Sequence, residues 1–296
     1  MDKNKFIATP SRTANILKKY NFTFKKSLGQ NFLIDVNVLE NIIEHAGISK
    51  TSGVIEIGPG IGSLTEQLAL HAKKVIAYEI DQRLQPLLAE SLRPYKNVQL
   101  IFQDILEANV HEDIEKYLPH MADIHIVANL PYYITTPIIM DLLAAHLPIK
   151  RLTIMIQKEV AERMGAKPNT RDYGSLSVAV QYYTEAKIVM DVSRHVFMPK
   201  PNVDSSVLTL TLRKQPPVNV IDEDYFFSFV RACFAQRRKT LRNNLVSYFK
   251  DRLPRETVGQ TIEQVDIDSR RRGESLTMEE FARLANTFYQ IEQGER

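Results

Sequence analysis

Thiol chemistry is almost absent from this chain: Cys233 is the only cysteine among its 296 residues. One cysteine excludes an intramolecular disulfide and a cysteine zinc cluster, and no metal site is expected. Nowhere do 18 apolar residues run together, so no membrane span is expected. The opening MDKNKFIATPSR has neither an apolar h-region nor a cleavage site, which argues against secretion. These absences together point to the cytoplasm. Net charge is also scarce, at +3, and by its total identifies no partner.

The distribution of that charge says more. Residues 1–30 hold seven basic residues (Lys3, Lys5, Arg12, Lys18, Lys19, Lys25 and Lys26) against a single acid, Asp2. Residues 231–242 hold Arg231, Arg237, Arg238, Lys239 and Arg242 with no acid, and Arg270, Arg271 and Arg272 form a third block. One such run reads as solvated surface. Three of them beside a nucleotide-type motif favour a polyanionic partner.

That motif is VIEIGPGIGSL, residues 54–64. Val54, Ile55 and Ile57 form a β-branched run bounded by glycines, which predicts a buried parallel strand. Gly58, Gly60 and Gly62 then predict a turn whose amides a ligand can approach and some of whose positions require positive φ. Ser63 is expected to cap the following helix, with Glu66 three residues later. The spacing lacks the third glycine of the dinucleotide fingerprint, which argues against a dehydrogenase. The next strand, Lys74 to Ile80, ends in Glu79, a carboxylate suited to both hydroxyls of a ribose. Asp104 closes a third strand, Val98 to Phe102.

Further strands are expected at Asp123–Ala128, Arg151–Ile156, Ala186–Val192 and Ser206–Arg213. Helices are expected at 11–20, 36–46, 136–145, 158–164 and 175–183. A βαβαβ pattern opening on a glycine turn predicts a doubly wound α/β sheet with its ligand beyond the strand carboxyl ends. Gln30 and Asn31 allow two readings, a turn that caps the helix at Val36 or a flap over the ligand. Gln215-Pro216-Pro217 is the expected boundary between a domain at 1–215 and a helical domain at 216–296. The second should hold helices from Asp224 to Phe249, Glu256 to Val265 and Thr277 to Gln290. If the first runs unbroken, Arg231, Arg238 and Arg242 project from one side of it.

The fourth strand leads into Asn129-Leu130-Pro131-Tyr132. Two acceptors, the Asn129 amide oxygen and the Leu130 carbonyl, suit the two N–H donors of an adenine exocyclic amine and would direct its lone pair at an electrophile. Pro131 stiffens the chain, and Tyr132 offers a face for a flipped base. The attacked nitrogen becomes acidic only after methyl transfer, so no ionised general base is required.

With these residues in view, the chain resembles the KsgA/Dim-type rRNA adenine N6,N6-dimethyltransferases. KKSLGQNFL, VIEIGPGIGSLTEQL, EID, QDIL, NLPYY, VFMPKPNVDS and FAQRRKTLRNNL stand in that family's order over nearly the whole chain. The resemblance implies a Rossmann-like class I methyltransferase fold with a small all-α C-terminal domain, and S-adenosylmethionine as cofactor. It implies that Asn31 and Leu33 line the cofactor site, that Gly58 contacts the methionine part, and that Glu79 binds the ribose. Asp104 would recognise the adenine amine, with Gly60, Ile80 and Ile105 beside them. Asn129 would lie between cofactor and target base, and Phe197 would stack on that base opposite Tyr132. The implied substrate is a pair of adjacent adenosines in the 3′-terminal hairpin of 16S rRNA in the small (30S) subunit. Arg237, Arg238, Lys239 and Arg242 would grip its backbone, with the enzyme acting as a monomer. The alternatives are an Erm-type enzyme acting on large-subunit rRNA, and a binding protein that kept the fold without catalysis.

Overall fold

The structure, a computed structural model, describes residues 6–294. Asp2, Lys3 and Lys5 of the N-terminal basic block lie outside the described residues, as does the side chain of Lys26. Two compact units divide the chain, one of Met1–Ala161 with Glu185–Leu212 and one of Glu162–Thr184 with Arg213–Arg296. The helical unit therefore takes residues 162–184, which the sequence assigns to the first domain. Tyr173, Val178 and Tyr182 explain this, because they are buried in the same apolar cluster as Phe226, Phe229 and Phe288.

Among the described residues nine strands occur: β1 Phe32–Leu33, β2 Ser52–Ile57, β3 Lys74–Tyr78, β4 Val98–Ile101, β5 Asp123–Asn129, β6 Arg151–Gln157, β7 Thr184–Val192, β8 Phe197–Met198 and β9 Ser205–Leu212. Seven make one sheet in the order β4-β3-β2-β5-β6-β9-β7, and β1 pairs with β8 apart from it. β4, β3, β2, β5 and β6 run parallel, and β9 returns antiparallel to β6. The chain winds outward from β2 in both directions. A crevice therefore opens beyond the carboxyl ends of β2 and β5, where ligands of such sheets bind.

Buried parallel strands need apolar residues on both faces, and Val54, Ile55, Val75, Ile76, Ile126 and Val127 are all fully buried. Helix Val36–Ala46 lays Leu39, Ile42 and Ile43 against Val54, Val127, Met155 and Val207. Each such side chain contributes about 1.5–3 kcal/mol. A second cluster joins Ile7, Leu17 and Phe32 to Ile61, Leu84, Leu87 and Leu88, binding the N-terminal segment to the unit. Glu66 reinforces this, accepting from the Ile7 amide at 2.7 Å and the Tyr95 hydroxyl at 2.9 Å. Glu66 thus closes no capping box. Gly62 is the N-cap, at φ 91°, and Ser63 falls inside the helix.

The helical unit forms around Phe226, Phe229, Phe249, Phe281 and Phe288, with the Phe249 and Phe288 rings stacked 4.7 Å apart. The expected helix from 224 to 249 is broken into Glu223–Cys233 and Leu241–Tyr248. The break is built by partners distant in sequence. The Leu241 amide donates to the Arg271 carbonyl at 2.6 Å, and Arg242 to that of Ser269 at 3.2 Å. Thr240 Oγ1 accepts from the Asn243 amide, and Asn244 Nδ2 donates to the carbonyls of Cys233 and Gln236. Arg237, Arg238 and Lys239 consequently sit in a connection rather than on a helix face.

Candidate active site

Gly58, Gly60 and Gly62 adopt φ of 72°, 59° and 91°, the left-handed region that glycine enters without penalty. At Gly60 the lack of a side chain is also a matter of space. A Cβ there would stand 2.8 Å from Phe32 Cε1, so only glycine lets β1 lie across the turn.

The turn floors a cavity lined by Asn31, Leu33, Gly58, Gly60, Glu79, Ile80, Asp104, Ile105, Asn129, Leu130, Pro131 and Tyr132. Twelve of the thirteen residues expected at the cofactor and target base are thus brought to one cavity. The thirteenth, Phe197, is not. It is 4% exposed, because β8 pairs antiparallel with β1, Leu33 opposite Phe197, and carries its ring into the apolar cluster with Leu33 and Val207.

Glu79 is 6% exposed, and each of its oxygens accepts a backbone amide, Asp81 to Oε1 at 2.8 Å and Gly60 to Oε2 at 3.1 Å. Burial raises its pKa, while these donors oppose the rise. An ionised carboxylate offers about four acceptor sites, so acceptor capacity remains at each oxygen. Asp104 Oδ1 accepts from the Leu106 amide at 3.0 Å, which caps a short 3₁₀ turn and holds Ile105 in the cavity wall.

Asn129 ends β5. Its Nδ2 donates to the Asn31 carbonyl at 3.1 Å, and because that carbonyl can only accept, Oδ1 is left as the acceptor of the side chain. Tyr132 is held by a 2.8 Å hydrogen bond between its hydroxyl and Ser205 Oγ. Pro131 accepts from Thr135 Oγ1 at 2.9 Å, so the loop is tied to the first turn of helix Thr135–Ala144.

Gln30 and Asn31 both stand in this lining. Helix Val36–Ala46 is capped instead by Asp35, whose Oδ1 accepts from Asn37 and Val38. Further lining residues were given no role by the sequence, Tyr133 and Glu56 among them. Tyr133 lines the mouth and is 57% exposed. Glu56 lies at the floor, 1% exposed, with neither carboxylate oxygen in a hydrogen bond. Burial pushes its pKa up to about 8, opposed by the Thr65 hydroxyl and reinforced by the charge of Glu79. The signal for Glu56 was an acid inside a β-branched run that otherwise reads as fully buried.

In the helical unit, Gln236, Arg237, Arg238 and Lys239 line a shallow polar depression. Arg237 donates to the carbonyls of Arg171 and Tyr173. Arg238 and Lys239 are exposed. Arg242 is half-buried, and its Nε would stand 3.2 Å from a Cβ at Gly259.

Comparison with known proteins agrees with this geometry. Residues 21–290 match the family described as ribosomal RNA adenine dimethylase. The chain is 62% identical over 292 residues to ribosomal RNA small subunit methyltransferase A of Oceanobacillus iheyensis, covering 99% of each chain. It is 59% identical to the protein of that name from Geobacillus sp. strain WCH70, over 97% of this chain and 99% of that one. Among solved structures, a dimethyladenosine transferase from Plasmodium falciparum superposes with a TM-score of 0.72 at 27% identity, covering 89% of this chain and 98% of that one. The 23S rRNA methyltransferase ErmE gives 0.64 at 29% identity, covering 88% and 100%. A doubly wound sheet, a glycine turn facing Glu79 and Asp104, and a match spanning most of the chain converge on one conclusion: the chain belongs to the ribosomal RNA adenine dimethylase family and is an S-adenosylmethionine-dependent rRNA methyltransferase.

Proposed function

We propose that the protein methylates the N6 amines of two adjacent adenosines in the 3′-terminal hairpin loop of 16S rRNA. The product is N6,N6-dimethyladenosine, made late in small-subunit biogenesis by a cytoplasmic monomer. The observation that carries this reading is the convergence of Glu79, Asp104 and Asn129 on one cavity floored by the glycine turn. The share of identity with proteins named for the small subunit, near 60%, favours that substrate over the large-subunit RNA of ErmE, at 29%.

The residues fit the cofactor. A cavity with a buried carboxylate just after β3, a half-buried one after β4 and apolar walls from Ile57, Ile80 and Ile105 suits a nucleoside with polar edges. When bound, S-adenosylmethionine supplies an electrophilic methyl group on its sulfonium sulfur. Glu79 accepts from the ribose hydroxyls and Asp104 from the adenine amine. Gly58 and Gly60 let the ligand reach the backbone, and Asn31 and Leu33 roof the site. Asn129 Oδ1 and the Leu130 carbonyl hold the two hydrogens of the target N6 amine, while Tyr132 stacks on its ring. Flipping that base costs a few kcal/mol, less from a loop than from a duplex. Arg238 and Lys239 give phosphate contacts, which carry affinity without selecting the base.

The test is mass spectrometry of nucleosides after the protein and S-adenosylmethionine are incubated with small subunits from a strain lacking this gene. Dimethyladenosine confined to the 3′-terminal hairpin is the expected result. Product only on large-subunit RNA would transfer the assignment to the Erm type, and no product on any RNA would refute catalysis.

A further inference from the structure

Asp81 lies two residues beyond Glu79 and does not line the cavity, yet it is a 4% exposed carboxylate engaged by four donors. Its Oδ1 accepts from Arg83 Nε at 2.8 Å and from the Arg83 amide at 3.3 Å. Its Oδ2 accepts from Arg83 Nη2 at 2.6 Å and from Gln30 Nε2 at 2.7 Å. Arg83 reaches onward. Nη1 donates to the Thr23 carbonyl at 3.1 Å, and the guanidinium stands 5.0 Å from the centre of the Phe22 ring. Gln30 Oε1 accepts from the Lys25 amide at 2.9 Å, closing a loop within the same segment.

Residues 22–33 form a strap, of which residues 28–33 line the cavity. At one end, Phe22 and Phe24 pack their rings 5.9 and 5.5 Å from Phe32. At the other, β1 pairs with β8, and Ile34 donates to the Val196 carbonyl at 2.9 Å. Between them lie polar ties to the body of the unit, among them the Thr23 carbonyl to Arg83 and Gln30 to Asp81. The next residue, Asn31, presents the carbonyl that orients the Asn129 amide.

We infer that Asp81 is a positioning residue: through Arg83 and Gln30 it latches the strap, and the strap sets the carbonyl that fixes Asn129 in its reactive orientation. The ion pair suits the task because two parallel N–H donors from Arg83 fix the carboxylate plane, and that plane aims Oδ2 at Gln30. The same residue steadies the ribose side, since its amide donates to Glu79. This inference rests on the functional reading above. It adds that the loop after β3 and the loop after β5 are coupled through the strap.

The experiment compares wild type with Asp81→Ala, Asp81→Asn, Gln30→Leu, Arg83→Leu and the Gln30→Leu/Arg83→Leu double variant, all as full chains. Amide hydrogen exchange is read with and without S-adenosylhomocysteine, and kcat and KM are measured for methyl transfer to small subunits. In Asp81→Ala, exchange across 22–33 should rise at least tenfold while β2 and β3 keep their protection, which shows the fold intact. Turnover should fall about 10- to 100-fold with the RNA KM changed by less than about threefold. Asp81→Asn, which keeps an acceptor for Gln30, should recover part of both. The double variant should lose less than the sum of the two single losses, since both limbs meet at Asp81. Unchanged exchange at 22–33 would overturn the latch, and raised exchange with undiminished turnover would overturn the link to Asn129. A wild type that transfers no methyl group would refute the functional reading instead, and the exchange data would still decide whether Asp81 holds the strap.

Discussion

Replacing Glu56 by Gln tests how a carboxylate can sit unpaired at the floor of this cavity. Its pKa of about 8, against 4.5 for an ordinary glutamate, means that the folded protein holds a proton that the unfolded chain releases at neutral pH. The sign follows from linkage: the stability tied to this proton is fully present below pH 4.5 and drains away as pH rises towards 8. At about 1.4 kcal/mol per pH unit, roughly 3 kcal/mol is lost between pH 5.5 and 8. Gln has nearly the same shape and leaves an amide as poorly partnered as the acid, at a cost of about 1–3 kcal/mol that does not vary with pH. The informative quantity is therefore the change in the wild-type minus Glu56→Gln difference, which leaves Glu56 and its coupling to Glu79 while groups that do not interact with Glu56 cancel. Urea unfolding of the ligand-free protein at pH 5.5, 7 and 8.5 should show the variant gaining about 3 kcal/mol on the wild type across that span. A flat difference would refute a neutral, dry Glu56, and would mean that water or a neighbouring donor reaches the carboxylate.

Glu79→Ala removes the acceptor of the Gly60 and Asp81 amides and of the ribose, so cofactor affinity by calorimetry should weaken by about 1–3 kcal/mol; unchanged affinity would reject the ribose assignment. Asn129→Ala should lower turnover far more than cofactor affinity, and wild-type turnover would remove it from the site. Glu66→Ala strands the buried Ile7 amide and the Tyr95 hydroxyl and should cost about 1–3 kcal/mol in urea unfolding. Arg238→Ala with Lys239→Ala should reduce the slope of log affinity against log salt on rRNA by about 1.5–2, as for two lost phosphate contacts; a slope that does not move would make this connection ordinary surface.

What could be read directly from the chain was whatever depends on near neighbours. Alternating and continuous apolar runs placed the strands of the large sheet within about two residues, because the face a side chain takes in a strand is set by its own position in the run. Gly58, Gly60 and Gly62 announced their positive φ because few other residues tolerate it. Glu79, Asp104 and Asn129 were legible because each follows a strand, and a parallel sheet delivers every strand end to the same edge. Tertiary structure decided what depends on partners far away in sequence. The break after Cys233 is made by the carbonyls of Ser269 and Arg271, which no helical periodicity between 224 and 249 could reveal. Phe197 is withdrawn from the cavity by pairing with Leu33, and Gln30 meets Asp81 across 51 residues of chain. Glu56 shows the division most clearly. Its position in a buried strand was evident from its neighbours, but only the packing around it leaves its carboxylate oxygens outside hydrogen-bond geometry, with the Thr65 hydroxyl nearby.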